Sequence, residues 1–308
     1  MRRYVLPGAI AVATVAAFAM VARRTAGDAV SAAASPDWPL LAAAFAVGAV
    51  VQPMRALAWR QTLGAGVGFR AIYAASAIGS FLDTVLPGRM GEAAKVGALR
   101  AASAERWPGL PRAGGSLLAT HLTEAIAFCL VGAVAGSFMP VPVWVRGALL
   151  GAVTAAGGAI AVAAVLHRRL GRRLPAWADG FLAAAGAPRP VLLRTLAILL
   201  ATWAVRWLGV TLTLNALGVH AGLGTALVYM TVTGLANVAP ILPGNAGVYQ
   251  GAALGALAMV GHAGASALAA SVVMPMMATA ITASAALVGL ALYGRRFVEL
   301  PRAALRRR

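Results

Sequence analysis

The sequence is poor in acidic residues, in lysine and in cysteine. Eight aspartates and glutamates stand against 26 lysines and arginines, of which a single one is a lysine, and the formal net charge is +18 over 308 residues. Charged residues make up 11% of the chain and hydrophobic residues 61%. Soluble domains average about 25% charged residues. This composition excludes an ordinary soluble domain and indicates an integral membrane protein.

The single cysteine, Cys129, lies in an apolar run. This excludes a disulfide framework and a cysteine metal cluster. The sequence also lacks a Ser-x-x-Lys or Gly-x-Ser-x-Gly context and a glycine-rich phosphate loop that ends in Lys-Ser/Thr. We therefore assign no catalytic residue, and we expect no metal and no cofactor.

Long apolar runs between arginine-rich stretches predict several membrane spans. A span needs about 20 apolar residues, and we assign six: 5–22, 38–58, 115–138, 143–166, 195–217 and 265–293. The first is interpreted as a retained helix rather than a signal peptide. Arginines in short loops mark the cytoplasmic side and meet anionic lipid headgroups there, so they do not indicate nucleic-acid binding. We expect a multi-pass protein of the inner (plasma) membrane with both termini in the cytoplasm.

Two further apolar stretches, 71–99 and 224–261, begin and end on the same side of the membrane in this topology. Each contains a helix-breaking pair near its middle: Pro87-Gly88 in the first and Pro243-Gly244 in the second. A break of this kind leaves backbone groups that lipid cannot satisfy but a polar cavity can. The pattern predicts two re-entrant hairpins that enter from opposite faces.

The order of these segments repeats within what we interpret as a single membrane domain, residues 1–308. A span, a hairpin and a second span occur at 38–138 and again at 195–293. The second copy starts from the opposite side of the membrane. This is the arrangement of an inverted repeat, which is common in transporters.

Charged side chains cluster around the first break, at Asp83, Arg89, Glu92 and Lys95. Charges at membrane depth are costly, and they usually pair with one another or line a cavity. Arg89 and Lys95 are suited to hold a phosphate, with the acids orienting them, beside the free N–H groups of a helix start. The alternative is a local turn in which Glu92 and Lys95, three residues apart, form a simple ion pair.

Further polar residues lie within the apolar segments. His121 and Glu124 share a helical face, and they either join helices as a polar pair or supply Glu124 as a partner for Arg89 or Lys95. Arg206 lies near the centre of its span and is expected to face the interior and to meet an acid or a lipid phosphate. Four residues around the second break are either turn-forming caps or the uncharged half of the pocket: Asn237, Asn245, Tyr249 and Gln250.

The chain resembles the flippase-like transmembrane family, which includes the membrane part of lysylphosphatidylglycerol synthases. Three segments within roughly 40–293 carry the resemblance: R-A-L-A-W-R at 55–60, F-L-D-T-V-L-P-G-R-M-G-E at 81–92 and P-I-L-P-G-N-A-G-V-Y-Q at 240–250. Asp83, Asn245 and Gln250 stand where the family usually has Asn, Gly and Glu. The family's Glu-Arg-x-x-Asp helix is reduced to Thr120, His121 and Glu124.

The resemblance implies binding or translocation of an aminoacyl-, glyco- or polyprenyl-linked lipid. In the aminoacylating enzymes a soluble catalytic domain follows the membrane part, and we expect that chemistry to be absent here. Three functions remain open. The first is binding and flipping of a membrane lipid with an anionic or aminoacyl-, glyco- or polyprenyl-phosphate headgroup.

The second function is that of a lipid-binding scaffold that transports nothing and holds a separate membrane-associated enzyme through the basic loop 167–194 and the C-terminal tail. The third is an enzyme that modifies a lipid headgroup, with Glu124 or His121 as its base. Small residues along every span also favour close helix packing, either within the chain or in a homo-oligomer.

Overall fold

The computed structural model describes residues 36–64, 66–85, 90–103, 106–138, 143–170, 173–236, 247–262 and 264–305. The predicted span at 5–22 lies outside these residues. The two predicted breaks, Pro87-Gly88 and Pro243-Gly244, also lie outside them. The same is true of three site candidates: Arg89, Asn237 and Asn245.

Every secondary-structure element in the described residues is a helix, which confirms the all-α fold class. Ten follow one another: α1 (Trp38–Leu63), α2 (Phe69–Val85), α3 (Met90–Ser103), α4 (Leu110–Phe138), α5 (Val143–Leu170), α6 (Ala176–Ala185), α7 (Arg189–Ala216), α8 (Leu223–Ala236), α9 (Val248–Met259) and α10 (Ala265–Leu305).

Five of these helices are long and apolar enough to cross a membrane. The crossing segments are Trp38–Leu63, Leu110–Val134, Leu149–Leu170, Arg189–Ala216 and Ala265–Tyr293. They match the five predicted spans that fall within the described residues, and they confirm a multi-pass membrane protein. α1 begins where Asp37 Oδ1 accepts a hydrogen bond from the backbone N–H of Leu40 at 3.0 Å. It continues to Leu63, past its predicted end at residue 58.

Two pairs of short helices occupy the stretches predicted as hairpins. α2 and α3 have 17 and 14 residues, and α8 and α9 have 14 and 12, fewer than the ~20 residues of a typical span. α2 and α3 approach closely at Gly79 and Gly91, where the other helix fills the space that a side chain would need. The re-entrant path of both pairs through the bilayer stays a prediction.

The two halves of the chain pack reciprocally. α1 and α7, the first helices of the halves, make the most extensive helix–helix contact among the described residues. α2 of the first half packs against α10 of the second, and α8 of the second half packs against α4 of the first. Exchanging the halves preserves this pattern, which is consistent with the predicted repeat.

The stretch 167–194, interpreted from its arginines as a loop, contains a helix. α6 packs on α4 at Gly115, where the backbone of Phe181 leaves no room for a side chain. Asp179 Oδ1 lies 2.8 Å from His167 Nδ1 at the end of α5. The arginines of this stretch all lie before or after α6. The helix itself, A-W-A-D-G-F-L-A-A-A, contains none.

Candidate functional site

The charged side chains near the first break form a compact group between α2 and α3. Lys95 Nζ lies 2.6 Å from Glu92 Oε1 and 3.8 Å from Asp83 Oδ2. Only 5% of Lys95 is exposed, so its ammonium group is enclosed by the two helices. Gly91 makes this approach possible, because a side chain there would overlap the Asp83 carboxyl and the carbonyl oxygen of Gly79.

The charged group extends to α4 and α1. His121 Nε2 lies 2.8 Å from Glu92 Oε2, and His121 Nδ1 lies 3.7 Å from Glu124 Oε2. Arg55 Nη2 donates a hydrogen bond to Glu124 Oε2 at 2.9 Å. We call the resulting chain of contacts the ion network: Asp83, Lys95, Glu92, His121, Glu124 and Arg55.

Buried hydrogen bonds hold α1 and α4 in the register that the ion network requires. Trp59 Nε1 donates to Ser116 Oγ at 3.0 Å, and the hydroxyl oxygens of Thr62 and Thr120 lie 2.8 Å apart. Ser116, Thr120 and Glu124 follow one another at intervals of four residues, so they lie on one face of α4. The contacts that fix the first two therefore also place Glu124 against α1.

A cavity of about 190 Å³ lies at the Arg55 end of the ion network, where α1 meets α7, α9 and α10. Its polar lining comes from both halves of the chain: Gln52, Arg55, Arg206, Thr213, Tyr249 and Thr282. Gln52 is only 4% exposed, and its Oε1 accepts no hydrogen bond from any described residue. An unsatisfied buried acceptor costs roughly 1–3 kcal/mol, so this oxygen favours a ligand that can donate a hydrogen bond.

Arg206 reaches the cavity from α7, and no carboxylate of the described side chains lies within ion-pair distance of it. Its Cζ lies 5.0 Å from the centre of the Trp203 ring, in a cation–π contact. Arg206 is the eighteenth residue of α7, and Arg55 is the eighteenth residue of α1. The two arginines thus occupy equivalent positions in the two predicted repeats, and they line the same cavity.

The two halves differ in what they offer these arginines. α4 supplies Glu124 to Arg55. α10, its counterpart in the second half, has no acidic residue between Ala265 and Tyr293. The second half therefore presents an arginine without the acid that its equivalent has.

Residues 6–286 match the family described as Lysylphosphatidylglycerol synthase TM region. The chain belongs to this family. The match includes both halves and confirms the resemblance seen in the sequence. No curated protein and no solved structure matches the chain significantly.

In this lysylphosphatidylglycerol synthase TM-region protein, the two described site candidates that follow the second break, Tyr249 and Gln250, have separate roles. Tyr249 lines the cavity, and its hydroxyl lies 3.3 Å from that of Tyr229 on α8. Gln250 Oε1 accepts a hydrogen bond from the backbone N–H of Gly247 at 2.6 Å. Gln250 therefore caps α9, which was the alternative interpretation for the polar residues of this segment.

Sequence reasoning missed two cavity residues of this family member, Arg55 and Gln52. Arg55 lies just before Trp59 and Arg60 at the end of the predicted span 38–58, where arginine placement indicates a cytoplasmic flank. A signal was present: Gln52 and Arg55 lie three residues apart, and hence on one face, inside an apolar helix. In the structure Glu124 pairs with Arg55. Lys95 pairs instead with Glu92 and Asp83.

Proposed function

We propose that this membrane domain binds a lipid with a phosphate-bearing, anionic headgroup in the cavity and moves that lipid across the bilayer. The observation that carries the proposal is Arg206, an exposed arginine that lines the cavity without a carboxylate partner among the described side chains. A guanidinium matches the geometry of a phosphate and can donate two hydrogen bonds to it.

The balance of charge supports an anionic ligand. Each carboxylate of the ion network already contacts Arg55, Lys95 or His121. None is left for Arg206. An arginine near the centre of a membrane helix costs roughly 2.5–3.5 kcal/mol on insertion scales. A bound phosphate would offset this cost, and the carbonyl-type oxygen of Gln52 would accept a hydrogen bond from the rest of the headgroup.

The position of the cavity supports movement of the lipid as well as binding. In transporters built from inverted repeats, the substrate site lies near the bilayer midplane, at the interface between the repeats. Here the cavity lies where α1 and α7 meet, and these are the equivalent first helices of the two halves. The ion network connects this cavity to the short pair α2–α3, so a change in the cavity can be transmitted to a helix pair that is predicted to end within the membrane.

Flipping of a fluorescent anionic phospholipid in proteoliposomes tests the proposal. NBD-labelled phosphatidylglycerol would be compared in vesicles containing wild type, Arg206→Gln and a matched control, Arg194→Gln. Arg194 lies exposed on the same helix, twelve residues and about 18 Å before Arg206. A charge-assisted hydrogen bond is worth about 1.5–3 kcal/mol, so we expect Arg206→Gln to slow flipping at least about tenfold.

The control should flip at the wild-type rate. Equal rates for wild type and Arg206→Gln would overturn the proposed site. If lipid binding depends on Arg206 while wild type flips no faster than empty vesicles, the function is that of a lipid-binding scaffold and not of a flippase.

A further inference from the structure

An apolar groove, lined in part by Trp203, lies next to the cavity. α4, α7 and α8 form it, it encloses about 260 Å³, and all eight lining residues are Leu, Val, Ala or Trp. Trp207, one of them, satisfies its indole N–H by donating to the carbonyl oxygen of Leu223 at 2.9 Å. The ring is thus fixed across α7 and α8 and presents apolar surface to the groove.

The groove and the cavity are joined by one stacked pair of side chains. Trp203 lines the groove, Arg206 lines the cavity, and the Arg206 Cζ lies 5.0 Å from the Trp203 ring centre. Along α7 the groove is centred about six residues before the cavity, which corresponds to about 9 Å. The groove lies around the midpoint of α7, whereas the cavity lies toward its C-terminal end at Ala216.

We propose that the groove holds one acyl chain of the same lipid whose phosphate binds at Arg206, an inference that rests on the proposed function. A lipid in either leaflet directs its chains from the headgroup toward the middle of the bilayer. A phosphate at Arg206 with a chain along Trp203 has this direction for the leaflet that meets the C-terminal end of α7. The predicted topology makes this the outer leaflet.

The groove would hold an acyl chain through close packing and not through the hydrophobic effect. Surrounding lipid tails are as apolar as leucine, so an acyl chain gains nothing by leaving them for another apolar surface. What a shaped groove adds is close packing against fixed rings and a defined position for the headgroup. Blocking the groove should therefore weaken binding of long-chain lipid moderately and leave a short-chain lipid unaffected.

Ala204 provides the test, because it is a small, exposed residue of α7 that lines the groove. Ala204→Phe fills the groove, and Ala204→Leu is a milder second variant in case the first folds poorly. Ala201→Phe is the matched control, since Ala201 is exposed on the same helix but does not line the groove. Binding of dioleoyl- and dihexanoylphosphatidylglycerol would be measured by native mass spectrometry, with dioleoylphosphatidylcholine as the zwitterionic comparison.

We expect Ala204→Phe to weaken binding of the dioleoyl lipid at least fivefold, Ala204→Leu to weaken it less, and both to bind the dihexanoyl lipid within twofold of wild type. Ala201→Phe should bind both lipids as wild type does. Equal effects of Ala204→Phe and Ala201→Phe, or no effect of either, would show that the groove holds annular lipid only and overturn the inference. Failure of the headgroup site gives a different result: Arg206→Gln would then bind both anionic lipids as well as wild type does.

Discussion

Arg55 and Arg206 occupy equivalent positions, yet their removal should change stability in opposite directions. Arg55 is paired with Glu124 at 2.9 Å, whereas Arg206 has no carboxylate partner among the described side chains. Arg55→Gln therefore leaves a partly buried carboxylate without its main partner. Arg206→Gln removes a charge that the ligand-free protein does not compensate.

The magnitudes follow from the contacts. Breaking a fully buried pair costs about 3–5 kcal/mol. Arg55 and Glu124 are 29% and 18% exposed, and His121 remains 3.7 Å from Glu124, so we expect Arg55→Gln to lose about 2 kcal/mol. Removing Arg206 recovers part of the roughly 2.5–3.5 kcal/mol cost of a membrane arginine, minus about 0.5–1 kcal/mol for its contact with Trp203. We expect a net gain of about 1–2 kcal/mol.

Thermal unfolding of the purified variants in one detergent, without added lipid, measures both signs. The midpoint should fall for Arg55→Gln and rise for Arg206→Gln. Adding an anionic phospholipid should raise the midpoint of wild type through binding to the folded state, and it should leave Arg206→Gln unchanged. If the midpoint fell as far for Arg206→Gln as for Arg55→Gln, Arg206 would already be paired within the protein, and the proposal of an uncompensated arginine would be wrong.

Three further changes test other contacts. Gly91→Ala places a methyl group against the carbonyl oxygen of Gly79. It should destabilise the protein by about 1–3 kcal/mol and lower the unfolding midpoint. An unchanged midpoint would contradict the close approach of α2 and α3. Trp59→Phe removes the hydrogen bond to Ser116 and part of a buried ring, so it should cost at least about 1 kcal/mol in the same assay, whereas a neutral effect would contradict the packing of α1 against α4. His121→Ala separates the α2–α3 group from α4 and should slow flipping while anionic lipid still binds, and loss of binding would instead place His121 in the headgroup site.

The general architecture could be predicted from the sequence because it depends on apolar run length and on arginine placement. Apolar run length and arginine placement did not predict the end of α1 or the presence of α6, because packing against α4 determines both. α1 continues to Leu63 because Trp59 and Thr62 are buried against α4, although Arg55 and Arg60 resemble an interfacial end. α6 escaped notice because the arginines on either side of it dominate the stretch.

The candidate site could be predicted only where its contacts are local. The pair Glu92–Lys95 follows from a spacing of three residues on a helix, and the structure contains it. The pair Arg55–Glu124 joins residues 69 positions apart, and no spacing rule connects them. The meeting of Arg55 with Arg206 in one cavity depends on how the two halves pack, which a single sequence does not encode in any local pattern.

A cryo-EM map of the protein in nanodiscs of anionic phospholipid would show whether a lipid phosphate binds at Arg206. We expect phosphate density in the cavity, in contact with the Arg206 guanidinium and between α1 and α7. A map in which anionic lipid surrounds the protein while the cavity holds no phosphate, or in which a carboxylate of the chain itself pairs with Arg206, would contradict this expectation.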